Sequence, residues 1–342
     1  MKIRLLFAFI GLWVSLACLS PINFSNSEPT PHNLFLAADQ TPTTNPSPEP
    51  ILLPTQTVWA QKPTAIPIPE DPSGRIIYTC QVDKNPSHDQ ICMINADGSG
   101  FRQLTDDLNS AHFYPSWAPD GDSFYYAGVH QYQFKIFHSD LMGNTELVGR
   151  IPGQLFAPMP SPDGNSIIFT RHVNETAQYI SVFDWETETF RDLTGYYDAR
   201  DPVWSPDGSK IMFSSSQHNT PQLYFMNANG TLIQQITELA GLRGRSDWAK
   251  DLTIATYGGE SENLDREIIL LSLNGETQTI TAGGDNLAPS FSPDGQWIVF
   301  MSYRDHFWQA DGCELYVMRR DGTDVRRLTD NDYCDYQPRW EK

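Results

Sequence analysis

The stretch Pro115-Ser116-Trp117-Ala118-Pro119-Asp120-Gly121 decides the fold, because the chain repeats it. It returns as Pro158-Met159-Pro160-Ser161-Pro162-Asp163-Gly164, as Pro202-Val203-Trp204-Ser205-Pro206-Asp207-Gly208 and as Pro289-Ser290-Phe291-Ser292-Pro293-Asp294-Gly295. A worn copy reads Ser246-Asp247-Trp248-Ala249-Lys250-Asp251. The aspartates at 120, 163, 207, 251 and 294 are spaced by 43, 44, 44 and 43 residues. Half-copies flank the array, Asp71-Pro72-Ser73-Gly74 before it and Gln337-Pro338-Arg339-Trp340 after it. A fixed period of this length marks a repeat architecture.

Ser-Pro-Asp-Gly suits a type I turn, with Pro fixing φ at the second position and Gly free to close the fourth. A short apolar strand follows each turn, as in Ile167-Ile168-Phe169 or Ile298-Val299-Phe300. A second strand follows a loop, as in Leu223-Tyr224-Phe225-Met226. Asp97-Gly98, Asn229-Gly230, Asn274-Gly275 and Asp321-Gly322 then signal tight hairpins. The repeat closes on Leu104-Thr105, Leu193-Thr194, Ile236-Thr237, Ile280-Thr281 or Leu328-Thr329, with Leu147-Val148 the divergent sixth. Four antiparallel strands in about 44 residues make one propeller blade. The expected fold is therefore all-β, a six-bladed β-propeller of four-stranded antiparallel blades. The first blade lacks its own first strand, and Gln337 to Trp340 supply it, so the C-terminal strand completes that blade and closes the ring. Trp117, Trp204, Trp248, Phe291 and Trp340 share one position in the repeat and are assigned to packing between blades.

At these residues the chain resembles the TolB-like propeller repeat, whose signature is Pro-x-Trp-Ser-Pro-Asp-Gly followed by a short strand. The resemblance runs over about residues 74–342. It implies a propeller that binds a protein partner in the cell envelope, without the α/β domain that precedes the propeller in TolB itself. It also touches prolyl-oligopeptidase-like enzymes, whose hydrolase domain is not found here, and oligogalacturonate lyases, which look like metal enzymes with His residues converging on the propeller mouth.

The remainder of the 342-residue chain reads differently. Met1 to Arg4 is a short basic segment, Leu5 to Leu16 is apolar, and Ser15-Leu16-Ala17 fits an export cleavage site, so residues 1–17 are expected to be a signal peptide. Cys18 would then stand first and resembles the acceptor of a lipoprotein signal, although Ser15 replaces the usual Leu. Residues 18–72 form the expected tether. Its stretch 21–72 holds 12 of the 25 prolines among Thr, Ser, Asn and Gln, and such a segment lacks the apolar side chains for a core. Extended, its reach is on the order of 100 Å. The propeller is expected to occupy residues 73–342.

The balance of 23 Lys+Arg against 42 Asp+Glu gives a formal charge of −19. Such a surface repels phosphate backbones, which sets nucleic acid aside as a partner. Four cysteines remain after Cys18, an even number in an exported chain. Cys80 ends the second strand of blade one and Cys92 enters its third; Cys313 begins the third strand of blade six and Cys334 lies in the loop leaving it. Of the three possible connectivities, Cys80–Cys92 and Cys313–Cys334 are expected.

Catalytic signals are weak. Asp97-Gly98-Ser99-Gly100 is a hairpin turn and no nucleophile elbow. No His or Cys pair has metal-site spacing. His88, His112, His130, His138, His172, His218 and His306 are scattered, several of them expected in loops of one rim. The loops Asp106-Asp107, Asp285-Asn286 and Asp330-Asn331-Asp332 offer oxygen ligands of the kind calcium takes, and calcium is the one cofactor the sequence suggests. Tyr303, Arg304, Phe307 and Trp308 lie in one rim loop, Tyr132 in another, and Tyr196 and Tyr197 in a third. Aromatic and Arg side chains in rim loops are the composition of binding hot spots. These residues are the expected partner-binding face of an extracytoplasmic, monomeric, non-enzymatic module whose partner is an envelope protein or glycan. The alternative is a carbohydrate-active metal enzyme of the lyase type.

Overall fold

The computed structural model describes residues 71–342 apart from 175–176, 196–197, 218–219, 243, 260–265 and 306–311. The described chain forms six four-stranded antiparallel sheets. Blade 1 contains β1 (Arg75–Cys80), β2 (Gln90–Asn95) and β3 (Arg102–Gln103). Blade 2 is β4 (His112–Trp117), β5 (Ser123–His130), β6 (Gln133–Asp140) and β7 (Thr145–Leu147). Blade 3 is β8 (Gln154–Pro160), β9 (Ser166–His172), β10 (Gln178–Asp184) and β11 (Thr189–Asp192). Blade 4 is β12 (Ala199–Trp204), β13 (Lys210–Ser215), β14 (Gln222–Asn227) and β15 (Gln234–Gln235). Blade 5 is β16 (Asp247–Trp248), β17 (Ile254–Gly258), β18 (Glu267–Leu271) and β19 (Thr277–Thr279). Blade 6 is β20 (Asn286–Phe291), β21 (Trp297–Ser302), β22 (Glu314–Arg319) and β23 (Arg326–Arg327). The last strand, β24 (Asp335–Trp340), pairs antiparallel with β1, setting Ile76 opposite Trp340 and Cys80 opposite Asp335. The inner strands β24, β4, β8, β12, β16 and β20 each meet the next around the ring. The architecture and the closure are those the repeat implies.

The repeated phrase folds as its chemistry requires. The amides of Gly121, Gly164, Gly208 and Gly295 donate to the carbonyls of Ala118, Ser161, Ser205 and Ser292 at 2.9–3.0 Å, the bond that closes a type I turn. The Asp inside the turn holds it: Asp207 Oδ1 accepts from Ser205 Oγ at 2.6 Å and from the Ser209 amide at 3.0 Å, and Asp294 repeats this with Ser292 and Gln296. These hydrogen bonds hold the Asp163 and Asp207 carboxyls below the usual range. The closing Leu-Thr or Ile-Thr pairs also have a physical role. Thr105, Thr194, Thr237, Thr281 and Thr329 each accept, through Oγ1, an amide of the third strand at 2.9 Å, where the short fourth strand has run out.

Every inner strand kinks at one place. Tyr114, Ala157, Asp201, Arg245, Ala288 and Gln337 all have left-handed φ of 48–57°. The ladder slips beside them, for instance between Phe113 and Ser116 and between Leu287 and Ser290. Five of the six precede proline, which has no N–H to leave unpaired at a bulge. The aromatic two residues beyond that proline position lies between blades. Trp117 Nε1 donates to the Arg339 carbonyl of blade 1 and Trp204 Nε1 to the Met159 carbonyl of blade 3, each at 3.2 Å. Trp248 stacks on Phe225 of blade 4 at 4.7 Å. All five aromatics are buried.

Candidate binding face and the axial cluster

The loops that join second to third strands, and those that pass from one blade to the next, share one face of the ring. At the tip of the β5–β6 hairpin Gln131 and Tyr132 both adopt left-handed φ, 50° and 65°. For residues other than Gly this conformation is costly, and it is held by a ladder running out to the pair His130–Gln133. These two strands, eight residues each, are the longest among the described residues. Tyr132 stands 82% exposed at the tip. The hairpin rests on an aromatic floor of Phe113, Phe134 and Phe156, whose rings lie 4.8–6.0 Å apart.

Tyr303 and Arg304 follow β21 on the same face, two blades away. Tyr303 packs against the apolar core. Arg304 is half-buried: Nη2 donates to Asn286 Oδ1 at 2.9 Å, Nε donates to Ser302 Oγ at 3.1 Å, and the guanidinium stacks over Phe300 and Tyr316. Its planar head is thus committed to blade 6. Of the seven rim residues expected from sequence, Tyr132 is presented to solvent and Arg304 is held within the blade. Tyr196, Tyr197, Phe307 and Trp308 lie outside the described residues, as does Cys18.

Between these loops runs the closure seam. Cys80–Cys92 and Cys313–Cys334 are both bonded, with Cα separations of 5.8 and 4.4 Å, in the pairing expected. Bonded cysteine pairs are the mark of a chain that matures outside the reducing cytoplasm. Gln81 ties the two blades across the seam: its amide donates to the Cys334 carbonyl at 3.1 Å, and its Oε1 accepts from the Cys334 amide at 3.0 Å. Two acids are buried here. Asp335, the first residue of β24, is pushed up to about 7 by burial and by the charge of Glu314. Asp89 is likewise raised to about 7 by burial, although Tyr336 Oη donates to its Oδ2, and its Oδ1 has no partner.

His218 and His306 lie outside the described residues. His112, His130, His138 and His172 are on strands rather than in loops, and burial lowers His112 and His172 to about 4. Among the described residues no group of three or more His, Cys, Asp or Glu is placed to hold a metal ion. The Asp-rich loops have other occupations. Asp285 pairs with Arg266 at 2.5 Å, Asp330 with Arg327 at 2.8 Å, and Asp107 Oδ1 accepts the Asn109 amide at 2.9 Å.

The structure also assembles a cluster that sequence reasoning missed. Four of the six kinked residues, Tyr114, Asp201, Arg245 and Gln337, meet across the ring. Arg245 of blade 5 crosses the ring, and its Nη2 donates to the carbonyls of Pro115 in blade 2 and Gln337 in blade 1, both at 3.0 Å. Its guanidinium lies 5.3 Å from the centre of the Tyr114 ring. The Tyr114 amide donates to Gln337 Oε1 at 2.9 Å. Asp201 lies half-buried beside them; desolvation raises its carboxyl, and Arg245, Arg200 and Arg339 oppose that rise. Any side chain at Gly244 would collide with Asp201 Oδ2. The signal was present as the residue before the repeated proline, a column of Tyr, Ala, Asp, Ala and Gln with Arg in the worn copy.

On the outer part of the other face, a groove of about 610 Å³ between blades 3 and 4 is floored by Trp204 and edged by Asp163, Asp207 and Arg191. Its carboxylates are the turn-holding ones already described.

Six hairpin-built blades, an interblade aromatic and a shared closing strand define a closed six-bladed propeller of the type that presents loops for binding. The family model described as the TolB β-propeller domain matches residues 72–340, and the chain belongs to that family. The Tol-Pal system protein TolB of Campylobacter jejuni is 25% identical over 233 residues, 65% of this chain and 56% of that protein. An uncharacterized peptidase of Bacillus subtilis, YuxL, is 28% identical over 196 residues, 54% of this chain and 28% of that one. The crystal structure of TolB from Acinetobacter baumannii matches with a TM-score of 0.70 at 25% identity, over 80% of this chain and 68% of the other. The chain spans 28–64% of the length of the first curated relatives it matches.

Proposed function

We propose that this chain is an exported cell-envelope protein whose propeller is a non-enzymatic protein-binding module, and that it binds through the face carrying the second-to-third-strand loops. One observation carries the reading: Tyr132, 82% exposed, is held on two left-handed residues at the tip of the longest hairpin among the described residues. An exposed aromatic fixed at the tip of a well-paired hairpin has the character of a contact residue. The similarity to Tol-Pal system proteins supports a protein as the partner. The basic and apolar start of the sequence, the expected cleavage after Ala17 and the proline-rich stretch to residue 72 support export and a tethered head, with Cys18 as the proposed lipid acceptor. Tyr196, Tyr197, Tyr303, Phe307 and Trp308 are proposed to complete the face.

The test is affinity capture from envelope extract with the full chain as bait, beside the Tyr132→Ala, Tyr197→Ala, Trp308→Ala triple variant. A protein retained by the first and lost by the second establishes the module and its face. Equal retention by both baits places binding elsewhere, and capture of nothing but polysaccharide sinks the protein-partner reading.

A further inference from the structure

At each blade junction two side-chain positions flank the interblade aromatic. One stands at the start of the second strand of the earlier blade, and the other directly follows the third strand of the later blade. At the junction of blades 1 and 2 the first position is Arg75. Its guanidinium lies 4.9 Å from the centre of the Trp117 ring, Nη2 donates to the Gly121 carbonyl at 2.7 Å, and it pairs with Glu341 at 2.6 Å. At the junction of blades 5 and 6 the second position is Arg320. Its guanidinium lies 5.6 Å from the Phe291 ring, Nη1 donates to Asp251 Oδ2 at 2.7 Å, and Nη2 donates to Thr253 Oγ1. Trp185, Lys210 and Trp297 supply a large side chain at the other three filled junctions. Between blades 3 and 4 both positions are small, Ser166 and Ala228. The groove of about 610 Å³ over Trp204 lies there, and both residues line it.

The groove keeps the groups that hold a guanidinium elsewhere in the ring. Asp163 occupies the turn position of Asp251, and Ser166 the strand position of Thr253. Gly208, the counterpart of the Gly121 that accepts from Arg75, also lines it. Asp184 and Asp207 bring two further carboxylates, and hydrogen bonds within their own turns hold all three acids below the usual range. Holding a turn leaves a carboxylate able to accept more: Asp251 Oδ1 takes the Thr253 amide at 3.1 Å while Oδ2 takes Arg320. Asp163 has the same division, with Ser161 Oγ and the Asn165 amide on Oδ1 and only Asn165 Nδ2 on Oδ2. Arg191 is the one cation of the lining, and its Nη1 donates to the Asn229 carbonyl at 3.1 Å. Its counterpart Arg102 makes the same bond to the Leu141 carbonyl beside the seated Arg75, so a cation there is compatible with a second guanidinium.

We propose that this groove binds an arginine side chain of a partner polypeptide, its guanidinium stacked on Trp204 and paired with Asp163, in the place that Arg75 and Arg320 fill at their own junctions. A guanidinium suits the groove better than an ammonium, because its planar fork lies on an indole while donating in its plane to a carboxylate. The groove is larger than one guanidinium, so residues flanking the arginine enter with it. This is a second surface, on the face opposite the second-to-third-strand loops, and it stands or falls apart from that one.

The test is isothermal titration of the full chain at low salt with the blocked peptide acetyl-Gly-Arg-Gly-amide, the same peptide with citrulline for arginine, and free L-arginine. The arginine peptide is expected to bind about tenfold more tightly than its neutral citrulline counterpart. It is expected to bind about threefold more tightly than free arginine, whose own carboxylate meets the aspartates of the groove. Ser166→Arg and Ala228→Arg rebuild the Arg75 and Arg320 arrangements from opposite blades, and each is expected to abolish binding by filling the groove. Two such variants keep the test decisive where one fails to fold. No binding of the arginine peptide, equal binding of the citrulline peptide, or undiminished binding by either folded variant overturns the proposal. Free arginine bound as tightly as the peptide overturns the assignment to a polypeptide.

Discussion

Replacing Asp335 by Asn is expected to make the protein more stable, and increasingly so as the pH rises. Asp335 is buried at the start of β24, 2% exposed, and the ionisation of its carboxyl is raised from 3.8 to about 7. A group raised on folding gives stability that is complete below its unfolded value and lost as the pH climbs through its folded value. In the wild type that loss accumulates between about pH 4 and pH 7, at roughly 1.4 kcal/mol per unit, so about 4 kcal/mol by pH 8 as an upper bound. Asn has no such loss. It can still accept the 2.8 Å bond from Asn331 Nδ2, and its own amide can donate toward the Glu314 side of the site. Equilibrium unfolding in urea at pH 5, 6, 7 and 8, variant against wild type, reads the effect because groups not coupled to Asp335 cancel in the difference. The stability difference should widen by about 2.3 kcal/mol from pH 5 to pH 7 and flatten toward pH 8. A difference that stays constant from pH 5 to pH 8 would refute the buried, proton-binding carboxyl at the seam.

Other expectations follow from named contacts. His112, with its folded value near 4, contributes stability present above pH 6.5 and lost as the pH falls toward 4; its imidazole resonances should show no titration between pH 5 and 8, and a midpoint near 6.5 would contradict its burial. Cys313→Ala with Cys334→Ala should cost about 2–4 kcal/mol in chemical unfolding, and an unchanged midpoint would mean the seam is held without that bond. Asp207→Ala removes the acceptor of Ser205 Oγ and of the Ser209 amide, so a loss of about 1 kcal/mol is expected, against no change for Asp106→Ala. Trp204→Phe should lose about 1 kcal/mol through its bond to the Met159 carbonyl, read by the same denaturant titration.

The blades were legible because turn chemistry is local. Ser-Pro-Asp-Gly names its own geometry, and the Leu-Thr pairs mark where a fourth strand stops, so period, strand count and closure follow from residues that touch their near neighbours. The disulfide pairing followed from the same registry. The axial cluster was hidden for the opposite reason. Tyr114, Asp201, Arg245 and Gln337 are far apart in sequence and chemically unlike, and they become one column only once the kink before each proline is known. Of the histidines, His88 does lie in a loop between second and third strands, whereas His112, His130, His138 and His172 belong to the strand ladders, which spacing alone did not show. Arg304 had the composition of a contact residue, but two aromatic neighbours and Asn286 absorb its guanidinium.

The strand that completes the first blade comes from the other end of the propeller, and this has a consequence for when the fold can exist. Arg75 Nε donates to Glu341 Oε2 at 2.7 Å across 266 positions of sequence. Until β24 arrives, β1 offers an unsatisfied edge to any passing strand, so the nascent chain is vulnerable to aggregation for as long as its last segment is still being delivered. Bringing such distant segments together carries the loop-closure entropy of nearly the entire domain, and topologies rich in long-range pairing fold slowly. A chain threaded through a membrane from its N-terminus would emerge with its first blade open, and the ring would become a single cooperative object only on release of the final residues.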